Sequence, residues 1–313
     1  MLSDQEVNKK LYHKLEKLIT EKRNPQSMGI DLASPLEIAE IINREDQKVA
    51  ESVEQRLDVI AEVIELVSDA FQLGGRLLYF GAGTSGRLGI LDAAECPPTF
   101  GSPPEQVQGF IAGGKEAMFV AQEGAEDDPE NGIQAIDKAE TAPPDVVCGL
   151  AASGRTPYVH GALNEAKKRG CKTVFVTTVP AEQIDIKVDY LIDVPVGPEV
   201  IMGSTRMKSA TAQKMVLNMI TTGAFVRQGK IYENVMVDLM LTNKKLVERA
   251  KRIITIFADV DYERAGQLLE ASGGHVKTAL LMALKNLNAS DAKKLLSEHN
   301  GFVRKALLQI DSK

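Results

Sequence analysis

Five short apolar runs, Leu77–Phe80, Val107–Ala112, Val146–Leu150, Val174–Thr177 and Tyr190–Val194, recur through the middle of the chain, with helix-spaced segments such as Tyr158–Arg169 between them. A run of that length is short for a buried helix and right for a strand covered on both faces. Strands that alternate with helices pair in parallel, because a parallel neighbour needs a crossover and a helix supplies it. The fold class expected is α/β, a doubly wound five-stranded parallel sheet over about residues 67–230.

Helices flank this layer. Ser34-Pro35-Leu36-Glu37 has the form of a capping box with proline in the first turn. Val53, Leu57, Ile60, Ile64, Val67 and Phe71 then recur three or four residues apart up to Gly74-Gly75, so about 35–73 is read as helical. Ser204–Val226 is apolar around most of its circumference, the pattern of a helix buried against the sheet or a subunit neighbour. After Leu239 only short helical patterns remain, separated by Ser272-Gly273-Gly274 and Asn286-Leu287-Asn288. The organisation expected is an N-terminal helical segment over 1–66, a ligand-binding layer over 67–230 and a small C-terminal helical domain over 231–313.

Composition narrows the class. The 313 residues carry 37 Lys and Arg against 43 Asp and Glu, a net charge of −6, so no global attraction to nucleic acid or anionic lipid exists and any anion must be held locally. Lys244-Lys245 and Lys293-Lys294 read as solvated helix faces. Cys96, Cys148 and Cys171 are too few and too scattered for a disulfide framework or a metal clamp, which suits a reducing cytoplasm. The four histidines, His13, His160, His275 and His299, show no metal-ligand spacing. Met1–Glu6 does not open as a secretory leader, and no apolar run is long enough to span a bilayer. No metal, cofactor, nucleic acid or membrane is expected.

In parallel sheets ligands sit beyond the carboxyl ends of the strands, so the loops there are the informative ones. The first is Gly81-Ala82-Gly83-Thr84-Ser85-Gly86-Arg87. It contains GxGxxG, but the acidic residue a dinucleotide site needs about 20 residues later is missing, the interval holding Pro97-Pro98 and Gly101. Thr84 and Ser85 instead offer hydroxyls to a phosphate monoester. A similar turn, Ala151-Ala152-Ser153-Gly154-Arg155-Thr156, follows the third strand. Either loop alone could be an ordinary helix cap; together they favour one shared anion site. Arg87 and Arg155 are candidates for clamping the ligand or for structural ion pairs.

Two carboxylates stand near these turns. Glu95 precedes Pro97-Pro98, where the helix is expected to stop, and Glu126 follows the break at Gly124. On irregular backbone each could act as general acid or base, or be a solvated turn residue. Asp127-Asp128 could suggest magnesium, although adjacent carboxylates at a turn are usually just solvated.

Gly81-Ala82-Gly83-Thr84-Ser85-Gly86-Arg87-Leu88-Gly89 with Asp92-Ala93-Ala94-Glu95-Cys96-Pro97-Pro98-Thr99-Phe100-Gly101 resembles the signature of the N-acetylmuramic acid 6-phosphate etherases. Ile111–Gly114, Glu123–Asp127, Ala151–Tyr158 and Gly203–Lys208 extend the likeness, in order, over about residues 15–312. The resemblance implies a sugar isomerase (SIS) domain with a helical tail, and a homodimer whose sites are shared between subunits. It also implies a phosphosugar substrate whose C3 lactyl ether is cleaved, giving N-acetylglucosamine 6-phosphate and D-lactate in cell-wall sugar recovery. By the same correspondence Glu95 protonates departing lactate, and Glu126 is the second catalytic glutamate, the C2 base. One position departs from the wider SIS pattern: Ala151 stands where the second phosphate loop usually has serine, leaving Ser153 and Thr156 to act with Ser85.

Two other classes share this architecture. A phosphosugar-binding regulator would have no need of both glutamates and would add a basic helix-turn-helix, which is not found. An aldose-ketose isomerase would share the C2 proton abstraction without the ether cleavage.

Overall fold

The five apolar runs pair as one parallel sheet in the order β2-β1-β3-β4-β5: β1 (Leu77–Gly81), β2 (Val107–Ile111), β3 (Val146–Leu150), β4 (Lys172–Thr177) and β5 (Tyr190–Asp193). The computed structural model describes residues 18–241 and 243–308; Met1–Glu6 and His13, read above from sequence, lie outside them. In register, Tyr79 of β1 lies between Gly109 of β2 and Cys148 of β3. β1 and β3 are buried at every position, whereas β2 and β5, at the edges, are buried only in part.

Strand alternation gives β1 two apolar faces. Leu78 and Phe80 join one core with Ile136 of α4 (Pro129–Lys138) and with Val159 and Leu163 of α5 (Pro157–Lys168). Tyr79 points the other way, towards α3 (Gly83–Phe100), where a Cβ added to Gly89 would lie 2.9 Å from Tyr79 Cβ. The sheet is thus covered on both sides, as near-continuous apolar strands require. The chain passes from β1 outwards to β2 and then returns across β1 to β3. The direction of winding therefore reverses between the carboxyl ends of β1 and β3, the place where open α/β sheets receive ligands.

Three boundaries differ from the sequence reading. The stretch read as one helical region is two helices, α1 (Pro35–Glu54) and α2 (Leu57–Gln72). Arg56 leaves helical geometry between them, and its guanidinium holds Asp193 at the end of β5 through bonds of 2.8 and 3.1 Å. The helix expected to stop before Pro97 runs on to Phe100, with both prolines inside it. Cys96 and Phe100 are buried and the Phe100 ring stacks on Phe225 at 4.6 Å, so packing of the last turn offsets the two missing backbone donors. The apolar helix begins at Lys208 rather than Ser204, as α6 (Lys208–Arg227), because both oxygens of the buried Glu199 carboxylate accept the N–H groups of Lys208 and Ser209 at 3.0 and 2.9 Å.

The chain divides into two compact units, one of residues up to Ala93 with Glu105–Ile220, the other of Ala94–Pro104 with residues from Thr221 onward. The second holds a short hairpin, β6 (Ile231–Tyr232) and β7 (Val235–Met236), and five helices among the described residues: α7 (Lys244–Ala258), α8 (Tyr262–Ala271), α9 (Val276–Lys285), α10 (Ala289–Glu298) and α11 (Val303–Leu307). Ala250, Ile254, Ala265, Val276 and Leu280 lie at the centre of its core.

Candidate functional site

At the carboxyl end of β1 the backbone passes into α3 within two residues. A Cβ on Gly81 would lie 2.7 Å from the Gly86 nitrogen, and one on Gly86 would lie 2.8 Å from the Gly81 carbonyl oxygen and 2.7 Å from Ile111 Cγ1. The glycines of GxGxxG therefore let the helix start against the sheet, which explains the pattern without a dinucleotide. Thr84 is partly exposed in the first turn of α3. Ser85 is buried, and its hydroxyl donates to Gln213 Oε1 of α6 at 2.7 Å. Arg87 Nε donates to the Met118 carbonyl at 3.1 Å, tying α3 to the turn after β2.

The second turn is built from the end of β3. Gly154 closes it through its N–H to the Ala151 carbonyl at 3.1 Å, at φ +72°. A His160 ring nitrogen lies 2.9 Å from the Gly154 carbonyl oxygen, and the ring stands edge-on to Phe175. The Thr177 and Thr178 hydroxyls hold the Ala152 carbonyl at 3.2 and 3.0 Å. Against this fixed backbone the Ser153 side chain is partly exposed. Thr156 occupies the N-cap position of α5, yet its hydroxyl makes no capping bond. The cap interpretation thus leaves that hydroxyl without a task. Arg155 lines a cleft of about 710 Å³ with Pro129, His160 and Lys167, between α4 and α5.

Of the two carboxylates, Glu126 is anchored beside the second turn: its backbone carbonyl accepts the Tyr158 N–H at 3.0 Å, in the first turn of α5. Its side chain is exposed. Desolvation by the surrounding loop, and then the charges of Asp127 and Glu123, push its pKa above the usual carboxylate range. Asp128 accepts the Glu130 N–H at 2.9 Å and so caps α4. Glu95, placed at a helix end by the sequence reading, lies within α3 and is exposed. Among the described residues no group of three His, Cys, Asp or Glu side chains is arranged to hold a metal ion, and no helix is long and apolar enough to cross a membrane.

The chain is 56% identical over 298 residues to an N-acetylmuramic acid 6-phosphate etherase of Salinibacter ruber, a match covering 95% of this chain and 96% of the relative. An enzyme of the same name from Clostridioides difficile is 50% identical, covering 95% and 98%. The chain belongs to the N-acetylmuramic acid 6-phosphate etherase family. Residues 58–167 also match the model of the glucokinase regulatory protein N-terminal SIS domain.

Within this etherase-family fold, several supporting residues carried no signal in the loop motifs. Gln213 and His160 touch the two turns from helices that follow later in the chain. Lys208 is buried, its Nζ 2.7 Å from Glu45 Oε2, and Asn24 donates to the same oxygen at 2.8 Å. Burial alone would raise the Glu45 pKa, but Lys208, Lys48 and Asn24 outweigh it and hold the group down at about 2. Lys208 closes the Gly203–Lys208 segment of the family likeness, which was the signal available for this pair.

Proposed function

We infer that this etherase cleaves the C3 lactyl ether of N-acetylmuramic acid 6-phosphate to give N-acetylglucosamine 6-phosphate and D-lactate. The observation that carries the reading is the pair of hydroxyl-bearing turns open at the winding reversal between β1 and β3, in a chain at least half identical along 95% of its length to enzymes of that name. Thr84, Ser85, Ser153 and Thr156, with the first-turn N–H groups of α3 and α5, bind the 6-phosphate. Arg87 and Arg155 secure the surrounding chain or the ligand.

With the sugar ring open, the C1 aldehyde acidifies C2–H. Glu126 takes that proton; its raised pKa makes it a stronger base than an ordinary glutamate. The C3–O bond breaks, and Glu95 gives a proton to the departing lactate oxygen. Water then adds across the C2–C3 double bond, placing hydroxyl on C3 and hydrogen on C2. The proton transfers that accompany the breaking and making of the C3–O bond are ones that carboxylates can perform.

A second copy of the chain completes the site in this reading. Phe119 and Val120 support it: they are 90% and 63% exposed, on the segment that Arg87 fastens to α3. The three cysteines, all free and buried, are in keeping with a reducing cytoplasm.

Lactate release from the phosphorylated sugar tests the reaction, and an isomerase or a regulator would release none. In deuterated water, Glu95→Gln should exchange C2–H yet release almost no lactate, and Glu126→Gln should do neither. A reversed pattern swaps the two roles, and full release by both variants removes both from the mechanism.

A further inference from the structure

Ser209 and Gln213 of α6 are four residues apart and so share a helix face. That face reaches both turns. The Thr178 hydroxyl bridges Ser209 Oγ, at 2.9 Å, and the Ala152 carbonyl of the second turn, at 3.0 Å. Gln213 reaches the first turn directly, accepting the Ser85 hydroxyl proton at 2.7 Å. Gln213 is only 1% exposed, and its Nε2 is buried with no hydrogen-bond partner. A buried amide donor left unpaired in a native protein calls for an explanation, because the arrangement forfeits the bond that water would have made.

The chemistry of Ser85 supplies one. A serine hydroxyl has one proton, and an amide oxygen and a phosphate oxygen are both acceptors for it. Ser85 therefore cannot donate to Gln213 Oε1 and to a phosphate at once. If its proton turns to the phosphate, the Ser85 oxygen is left with lone pairs facing α6. Rotating the Gln213 amide by half a turn about its last side-chain torsion then brings Nε2 onto that oxygen. The donor becomes paired, Oε1 takes its former place, and the Ser85 hydroxyl is polarised towards the phosphate.

We propose that Gln213 is a positioning residue for phosphate binding: its amide holds the Ser85 proton before substrate arrives and turns over to donate to Ser85 Oγ once that proton points at the phosphate. The proposal rests on the phosphosugar reading of the site. It makes α6 the element that senses occupation of the first turn, with no contact between Gln213 and the sugar.

The experiment measures KM and kcat for the phosphorylated sugar, the inhibition constant of inorganic phosphate, and the melting temperature, for Ser85→Ala, Gln213→Leu, Gln213→Glu and the Ser85→Ala/Gln213→Leu double variant. For Gln213→Leu, KM and the phosphate inhibition constant should rise together by about tenfold or more, the worth of a hydrogen bond at a charged ligand. Its kcat should stay within about threefold, and the double variant should be no worse than Ser85→Ala alone. Gln213→Glu, close in size to the original residue, gives a readout that packing alone would not move. Its ionised carboxylate accepts the Ser85 proton but cannot donate, so phosphate binding should be poor at high pH. Binding should recover as the pH falls and the carboxyl regains a donor. Additive effects in the double variant, or a Gln213→Leu protein that loses kcat with the phosphate constant unmoved, would overturn the proposal. An unchanged phosphate constant in Ser85→Ala would instead remove Ser85 from the phosphate site, and the two failures are distinguishable.

Discussion

Desolvation, and after it the negative charges of Asp127 and Glu123, raise the pKa of Glu126, and that arrangement sets a pH dependence. A catalytic base works when deprotonated, so activity should fall as pH drops through the raised pKa of Glu126, and the acid limb of kcat/KM should lie above that of an unperturbed glutamate. Asp127→Asn removes one like charge and should move that limb to lower pH; a limb that does not move assigns it to another group. At the second turn, Ser153→Ala should chiefly raise KM, by the roughly 1.5–3 kcal/mol that a hydrogen bond to a charged group contributes, and steady-state kinetics checks it. The hydroxyls of both turns were legible because a strand, a glycine and a serine follow one another locally. What engages them was not: Gln213 lies 128 positions from Ser85, and the Met118 carbonyl that accepts Arg87 Nε lies 31 positions from it.

Among the elements, those whose ends are written in side chains were the easiest to foresee. Asn286-Leu287-Asn288 was read as a separator, and each asparagine has a task there: Asn286 ends α9 in left-handed geometry, and Asn288 accepts the Asp291 N–H to start α10. Asn243 caps α7 in the same way through Leu246 N–H at 2.9 Å. Asn243→Ala and Asn288→Ala should each cost about 1 kcal/mol. Because they act on separate helices the losses should add, which chemical denaturation of the single and double variants would check. Ends fixed by distant packing were misplaced. Local propensity stops α3 at Pro97, whereas the stacking of Phe100 on Phe225 carries it further. The hairpin of β6 and β7 has two residues in each strand, too few for a period of two to be read.

For the molecule as a whole, each compact unit buries one carboxylate whose pKa is held down to about 2. In the first it is Glu45, against Lys208. In the second it is Asp238, with Lys277 and Lys230 Nζ at 2.6 and 3.1 Å and His275 Nε2 at 3.5 Å. Burial alone would raise the Asp238 pKa; His275, Lys277 and Lys230 together outweigh it. Lys277 moves the other way, burial lowering its pKa against the pull of Asp238, so the gain from this pair resides on the carboxylate. A depressed carboxylate stabilises the fold above its unfolded pKa of about 4 and loses that contribution as pH falls towards the folded value. Each group accounts in this way for about 2–3 kcal/mol, taking 1.36 kcal/mol for each pKa unit. The protein should therefore keep its stability from neutral pH down to about pH 5 and lose it steeply between about pH 4 and 2, in both units. Urea unfolding at pH 7, 5 and 3 would show this, with two transitions if the units melt separately. Lys277→Met removes one cation from Asp238 and leaves it Lys230 and His275, so it should destabilise the second unit at pH 7 by about 1.5–3 kcal/mol, the worth of one hydrogen bond to a charged group. It should also flatten the acid dependence, because Asp238 would then titrate closer to its unfolded value. Wild-type stability unchanged between pH 5 and 3, or a Lys277→Met variant with an undiminished acid slope, would show that Asp238 is not the group that titrates.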